Sequence, residues 1–151
     1  MDFKIARKNM VENQIRANKV TSLNVINAFL DVPREKFVPD ALQEISYVDE
    51  DIQLSRNRFM MKPMILARLF QSLNLKGNEN ILHVGSNSGY GSAILSRMCS
   101  SVISLESDKK LFETSIHTFS NMGFDNVVPL HGSMENGVEK EAPFDIIFIE
   151  G

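Results

Sequence analysis

The sequence predicts an α/β fold built on a parallel sheet, and three observations carry that expectation. A short apolar run, Ile81, Leu82 and Val84, stops at a glycine-rich turn, and helix-compatible residues follow at once over 92–98. About twenty residues further on, Ser101–Glu106 reads as a second strand that closes on an acid. Strand and helix patterns then alternate as far as residues 144–150, an almost continuously apolar run of the kind a strand covered on both faces needs. Alternating strands and helices imply parallel pairing with right-handed crossovers.

The elements follow in order. Over residues 2–18, Phe3, Ile5, Met10, Val11 and Ile15 recur on one helical stripe. Thr21 and Ser22 form an N-cap for a second helix carrying Val25, Ile26, Phe29 and Leu30, which Val32 and Pro33 end. Pro33 and Pro39 each open a short helical turn. Residues 47–58 lack a helical period and read as extended chain or loop. Pro63 starts an amphipathic helix through Met64, Ile65, Leu66, Leu69, Phe70 and Leu73, closed by Gly77 and Asn78. Strands are expected at about 80–85, 101–106, 126–131 and 144–150. Helices are expected at about 89–99 and 108–122, with Asp108 starting the second and Gly123 ending it.

Composition narrows the function. With 151 residues, 43% hydrophobic and 23% charged, the chain is an ordinary globular domain. Its net charge of −3 gives no reason to expect nucleic acid or an anionic membrane as the main partner. The single cysteine, Cys99, cannot form an internal disulfide, which fits a reducing cytoplasm; a small buried apolar role suits it better than a reactive thiol. There is no apolar signal core at the N-terminus and no run approaching the ~20 apolar residues of a membrane span. His83, His117 and His131 have no metal-ligand spacing, so no metal is expected. A Gly-x-Ser-x-Gly elbow and a phosphate-loop lysine are both absent, which argues against a hydrolase or triphosphatase.

The chemistry concentrates around the glycine turn. Gly85, Asn87 and Gly89 let backbone approach a ligand, with asparagine holding a place where its tolerance of left-handed geometry substitutes for glycine. Glu106, at the end of the next strand, has the position of an acid that accepts both hydroxyls of a ribose. Its alternative is a solvated strand-end carboxylate. Glu150 lies at the carboxyl end of the fourth strand, where ligands of open α/β sheets gather, and could position or deprotonate an acceptor. The alternative is a polar residue where the strand emerges. Arg56 and Arg58 could bind an acceptor carboxylate or simply be solvated.

Several segments together resemble the protein-L-isoaspartate O-methyltransferases. They are residues 10–20 (Met-Val-Glu-Asn-Gln-Ile-Arg-Ala-Asn-Lys-Val), 32–39 (Val-Pro-Arg-Glu-Lys-Phe-Val-Pro) and 47–50 (Tyr-Val-Asp-Glu). The 80–91 turn, Leu105 with Glu106, residues 123–127, His131 with Gly132, and residues 142–145 follow in that family's order. The resemblance implies a Rossmann-like methyltransferase fold with an N-terminal helical segment and a cofactor-binding α/β part. It implies S-adenosylmethionine as cofactor, and damaged proteins or peptides bearing isoaspartyl residues as substrate. One methyltransferase domain spans 1–151, with 1–76 as the helical part and lid and 77–151 as the cofactor-binding part. Against the seven-stranded family template the last three strands are missing, so the domain is expected to be incomplete. An apolar fourth strand at its edge would then favour dimerisation through that edge.

Departures fall at functional positions. Where the family has a Thr-Ile-Ser-Gln-Pro-like segment that closes over cofactor and isoaspartate, this chain has Phe59, Met60, Met61, Lys62 and Pro63. Met61 stands at the serine position, and Phe59 and Met61 are expected to form an apolar wall or part of the core. The acid usual in the first strand is His83, and the acid that usually meets the adenine amino group is Ser133. Glu106 is retained. Methyl transfer depends on alignment and water exclusion, so losing hydroxyls that position a carboxylate lowers turnover or redirects the acceptor. A catalytically silent binding protein and, more distantly, a nicotinamide-dependent oxidoreductase are the alternative classes.

Overall fold

The computed structural model describes residues 1–151, which form two compact units, Met1–Asn74 and Leu75–Gly151. No helix is long and apolar enough to cross a membrane.

The first unit is helical with one hairpin. Helix α1 spans Phe3–Met10 and is capped by Asp2, whose Oδ1 accepts from the amides of Lys4 and Ile5. The run expected over 2–18 is helical throughout but not uniformly α. It widens to a π turn at Val11–Ile15, tightens to a 3-10 turn at Arg16–Asn18 and stops at Lys19 with φ 67°. Asn18 Nδ2 donates to the Gln14 carbonyl across that change of pitch, a side-chain bond that competes with the helical ladder. Met10, Val11 and Ile15 are all buried.

Helix α2 spans Leu23–Asp31, starting where Thr21 and Ser22 predict it. Its cap comes from elsewhere: Gln71 Oε1 accepts from the Thr21 and Ser22 amides at 2.8 and 2.9 Å, while the Ser22 hydroxyl makes no cap bond. Pro33 and Pro39 precede 3-10 turns at Arg34–Phe37 and Asp40–Ile45, as expected. Residues 47–58, expected as extended chain or loop, carry the first strand of an antiparallel hairpin that runs on past them, β1 (Ile52–Ser55) and β2 (Arg58–Met60), with a bulge between Gln53 and Ser55. Helix α3 spans Pro63–Ser72. It ends five residues before the Gly77 expected to close it, because Asn74 already turns left-handed at φ 51°.

One fully buried side chain ties this unit together. Arg34 donates from Nε to the Ser46 carbonyl at 2.6 Å and from Nη2 to the Met61 carbonyl at 3.1 Å. Beside it, the Tyr47 hydroxyl donates to Glu35 Oε2 and accepts from Arg7 Nε and the Arg34 amide. Burial, then the bond to Glu35, pushes the Tyr47 phenol far above its ordinary range, so it stays protonated and donating. Lys62 N donates to Asp51 Oδ1 at 2.8 Å, so Met61 and Lys62 are anchored from two directions.

The second unit is the α/β part. Strands β3 (Asn80–Val84), β4 (Ser101–Glu106), β5 (Val127–His131) and β6 (Ile146–Ile149) pair in parallel in the order β5-β4-β3-β6. Helices α4 (Tyr90–Ser96) and α5 (Lys109–Met122) connect the first three strands. Asp108 caps α5 by accepting from the Leu111 amide, and Gly123 ends it at φ 70°, both as predicted. Helix α4 is shorter than its pattern, because the chain tightens to 3-10 bonds from Arg97 N to Ile94 and from Met98 N to Leu95.

The fourth strand departs from expectation. Its apolar run predicts cover on both faces, but Phe148 alone is buried, while Ile147 is 59% and Ile149 72% exposed. As the sheet's edge strand, β6 buries one side of its pleat and presents the other outward. Cys99 is half-buried, donates to the Ser101 carbonyl, and has its thiol pushed up to about 12, chiefly by burial. That is the inert role its surroundings require.

Candidate functional site

Sheet order puts a reversal between β3 and β6: from β3 the chain builds outward through β4 and β5, then returns to the other side of β3. Ligands of open α/β sheets bind beyond the carboxyl ends of the strands at such a switch point. The glycine turn leaves β3 there. Gly85, Asn87 and Gly89 all take positive φ, 71°, 56° and 99°. Asparagine therefore occupies the left-handed position that its residue type anticipated. Gly89 is obligatory on a second count, since a Cβ there would lie 2.4 Å from the Phe119 ring.

Glu106 holds this turn. Its carboxylate is buried, with Oε1 accepting from the Asn87 amide at 2.7 Å and Oε2 from the Asp108 amide at 2.8 Å. Its first task is therefore to lock the β3 turn to the start of α5, one backbone bond per oxygen. A carboxylate is acceptor-only, the chemistry that a ribose diol requires of its partner. Within the turn, the Ser86 and Ser88 hydroxyls are buried without a protein partner. Buried polar atoms of that kind call for an explanation, and a polar ligand against the turn supplies one.

His83 is completely buried on β3. Its Nδ1 lies 2.7 Å from Ser92 Oγ and its Nε2 2.8 Å from Glu150 Oε2, and Ser92 Oγ donates to Ser104 Oγ at 3.0 Å. Glu150 is thus turned back onto β3, with its side chain 5% exposed. Ser92 and Ser104 had no signal in the sequence, because nothing in a serine's neighbours marks it as a histidine's partner. Ser133 follows β5, two residues beyond His131, the register partner of Glu106, and is exposed. Its hydroxyl donates to Glu135 Oε2 at 2.6 Å, which holds the Glu135 carboxyl below its ordinary range. Glu135 was not anticipated, although it lies only two residues beyond the position where the resemblance expects an acid.

These residues of the second unit, His83, Gly85, Asn87, Gly89, Glu106, Ser133 and Glu150, share the carboxyl edge of one parallel sheet. The positive-φ turn, the buried carboxylate that holds it and the two unpartnered serine hydroxyls fit an adenosyl ligand bearing a polar tail. Phe59 and Met61 belong to the first unit. On β2 the pleat sends Met60 into the core and leaves Phe59 48% exposed, with Met61 partly exposed at the strand's end. Phe59 is therefore not a core residue. Arg58, its neighbour, is partly buried, and Arg56 is exposed.

Comparison with known proteins points one way. A sequence model described as Protein-L-isoaspartate(D-aspartate) O-methyltransferase (PCMT) matches residues 5–151. Protein-L-isoaspartate O-methyltransferase 2 of Anaeromyxobacter sp. (strain Fw109-5) is 34% identical over 143 residues, covering 95% of this chain and 59% of that protein. Protein-L-isoaspartate O-methyltransferase 1 of Syntrophobacter fumaroxidans is 33% identical over 149 residues, covering 99% of this chain and 70% of its own. A protein-L-isoaspartate O-methyltransferase from Plasmodium falciparum, solved in complex with S-adenosyl-L-homocysteine, superposes with a TM-score of 0.78. It is 26% identical, and the match covers 95% of this chain and 72% of that one. The chain spans 59% of the length of the first two curated relatives it matches.

Proposed function

Because the chain belongs to the protein-L-isoaspartate(D-aspartate) O-methyltransferase family, we propose that it binds S-adenosylmethionine and serves methyl transfer to a carboxylate of damaged protein. The observation that carries this reading is the left-handed turn at Gly85, Asn87 and Gly89, locked by Glu106 at the sheet's switch point. When bound, S-adenosylmethionine supplies a methyl group already activated on a sulfonium. In the proposal Glu106 also accepts from the ribose hydroxyls. Ser86 and Ser88 hold the polar tail. Ser133 stands near the adenine, where a neutral hydroxyl replaces an acid. The protein does no proton chemistry on a carboxylate acceptor that is already ionised, so its work is to align two groups and keep water out. A reducing cytoplasm, consistent with one inert cysteine, and self-association through the exposed side of β6 belong to the same proposal.

Calorimetry of the chain with S-adenosylmethionine, S-adenosylhomocysteine and NAD tests the reading; binding of NAD in preference to both adenosyl ligands would overturn it. Ser133→Asp is expected to tighten S-adenosylhomocysteine by up to about one decade. A charge-assisted hydrogen bond contributes about 1.5–3 kcal/mol, less where solvent reaches it, as at this exposed site. Unchanged affinity would remove the adenine from this position. On the acceptor side, Phe59 and Met61 carry no hydroxyl, so labelled methyl transfer to an isoaspartyl peptide should be slow. Phe59→Thr with Met61→Ser should raise it by at least about tenfold, the effect of roughly 1.4 kcal/mol of alignment. Turnover in the parent equal to that of the double variant would show that those hydroxyls are dispensable.

A further inference from the structure

The side-chain chain that runs from β6 to β4 is not accounted for by turn geometry. Glu150 comes from the carboxyl end of β6, where its amide also donates to the Val84 carbonyl at 2.9 Å. His83 comes from β3, Ser92 from α4 and Ser104 from β4, and all four meet beneath the switch point. The space is committed to this arrangement. A Cβ on Gly91 would lie 2.8 Å from His83 Cε1 and 3.0 Å from Glu150 Oε2, so only glycine leaves room for the couple. Phe148 closes one side of the imidazole, its ring centroid 5.4 Å away.

We infer that His83 and Glu150 form a buried proton-holding couple that sets the charge of the adenosyl site and so tunes its preference between a cationic sulfonium and a neutral thioether ligand. The inference rests on the adenosyl reading of the site given above. It follows from bonding and charge. With Ser92 donating to Ser104, His83 Nδ1 must donate to Ser92, which leaves Nε2 to share one proton with Glu150. When that proton is present, the couple is neutral as a whole; when it leaves, one negative charge stays on two buried side chains. His83 is faced by Glu150 and Phe148 from β6, by Ser92 and Gly91 from α4, and by Ser104 from β4. Glu150 is the ionisable group among these. The couple therefore has two charge states, and selectivity between ligands that differ by one charge follows its protonation. An electrostatic difference of about 1.4 kcal/mol between the two charge states changes the ratio of the two affinities about tenfold. His83 and Glu150 act here as positioning and specificity residues, since neither has to touch the reacting atoms.

The test measures dissociation constants of the whole chain for S-adenosylmethionine and S-adenosylhomocysteine by calorimetry at pH 5.5 and 7.0. Glu150→Gln and His83→Gln are measured beside the parent, so that the ligands' own titration cancels. In the parent, preference for the sulfonium should rise about tenfold on going to the higher pH. Glu150→Gln should abolish that rise, because the couple then has no carboxylate to carry the charge. His83→Gln should hold the preference at the parent's high-pH value. A loss of fold would weaken both ligands together and leave their ratio unmoved. A parent ratio that does not change with pH, or a Glu150→Gln variant that keeps the parent's change, overturns the inference while both ligands still bind. Binding of neither ligand by the parent overturns the adenosyl reading and this inference with it.

Discussion

Removing the Glu106 carboxylate is expected to destabilise the second unit by about 3 kcal/mol and to weaken S-adenosylhomocysteine about a hundredfold. Two charge-assisted bonds, to the amides of Asn87 and Asp108, end on this one buried group, and each contributes roughly 1.5–3 kcal/mol. Glu106→Ala leaves both amides without an acceptor and frees the turn that holds Asn87 at φ 56°. Glu106→Gln should do little better. Its amide group satisfies one backbone N–H but sets its own NH₂ against the other, donor against donor. Thermal melting and calorimetry of the two variants check this; a fall of roughly 6–12 °C corresponds to the energy given. A Glu106→Gln protein that melts and binds as the parent does would show that the turn holds itself.

Arg34→Ala should be at least as damaging, at about 4 kcal/mol. The side chain is fully buried, so its loss opens a cavity and strands the carbonyls of Ser46 and Met61. Arg34→Lys should recover less than half of the loss, because one ammonium cannot reproduce a rigid fork aimed at two separate carbonyls. Denaturant unfolding of the three proteins would resolve this, and a cost below about 1 kcal/mol for alanine would refute it. The distinctive consequence lies with Met61. Freed from Arg34, Met61 loses one of the two bonds that flank it and keeps the neighbouring one from Lys62 N to Asp51, and acceptor kinetics should suffer more than cofactor affinity.

Much of this protein is legible in its sequence. The βα alternation, the strand at Ser101–Glu106, the Asp108 start and Gly123 end of α5, and the left-handed Asn87 all follow from local causes. Periodicity, capping chemistry and tolerance of positive φ act over a few residues, so a few residues suffice to read them. The same is true of the segments that identify the family. What sequence alone left open depends on partners distant in the chain. Gln71 caps α2 from 49 residues away, Arg34 reaches across 27 residues to Met61, and Glu150 reaches back 67 residues to His83. The hairpin at 52–60 went unread because its pairing, not its period, makes it a hairpin. The exposed isoleucines of β6 went unread because an apolar run does not say which neighbours the sheet supplies. Local chemistry determined the fold and the turn; only tertiary packing decided that the carboxylate beside β3 would come from β6, because burial and hydrogen-bond partners are properties of the folded sheet.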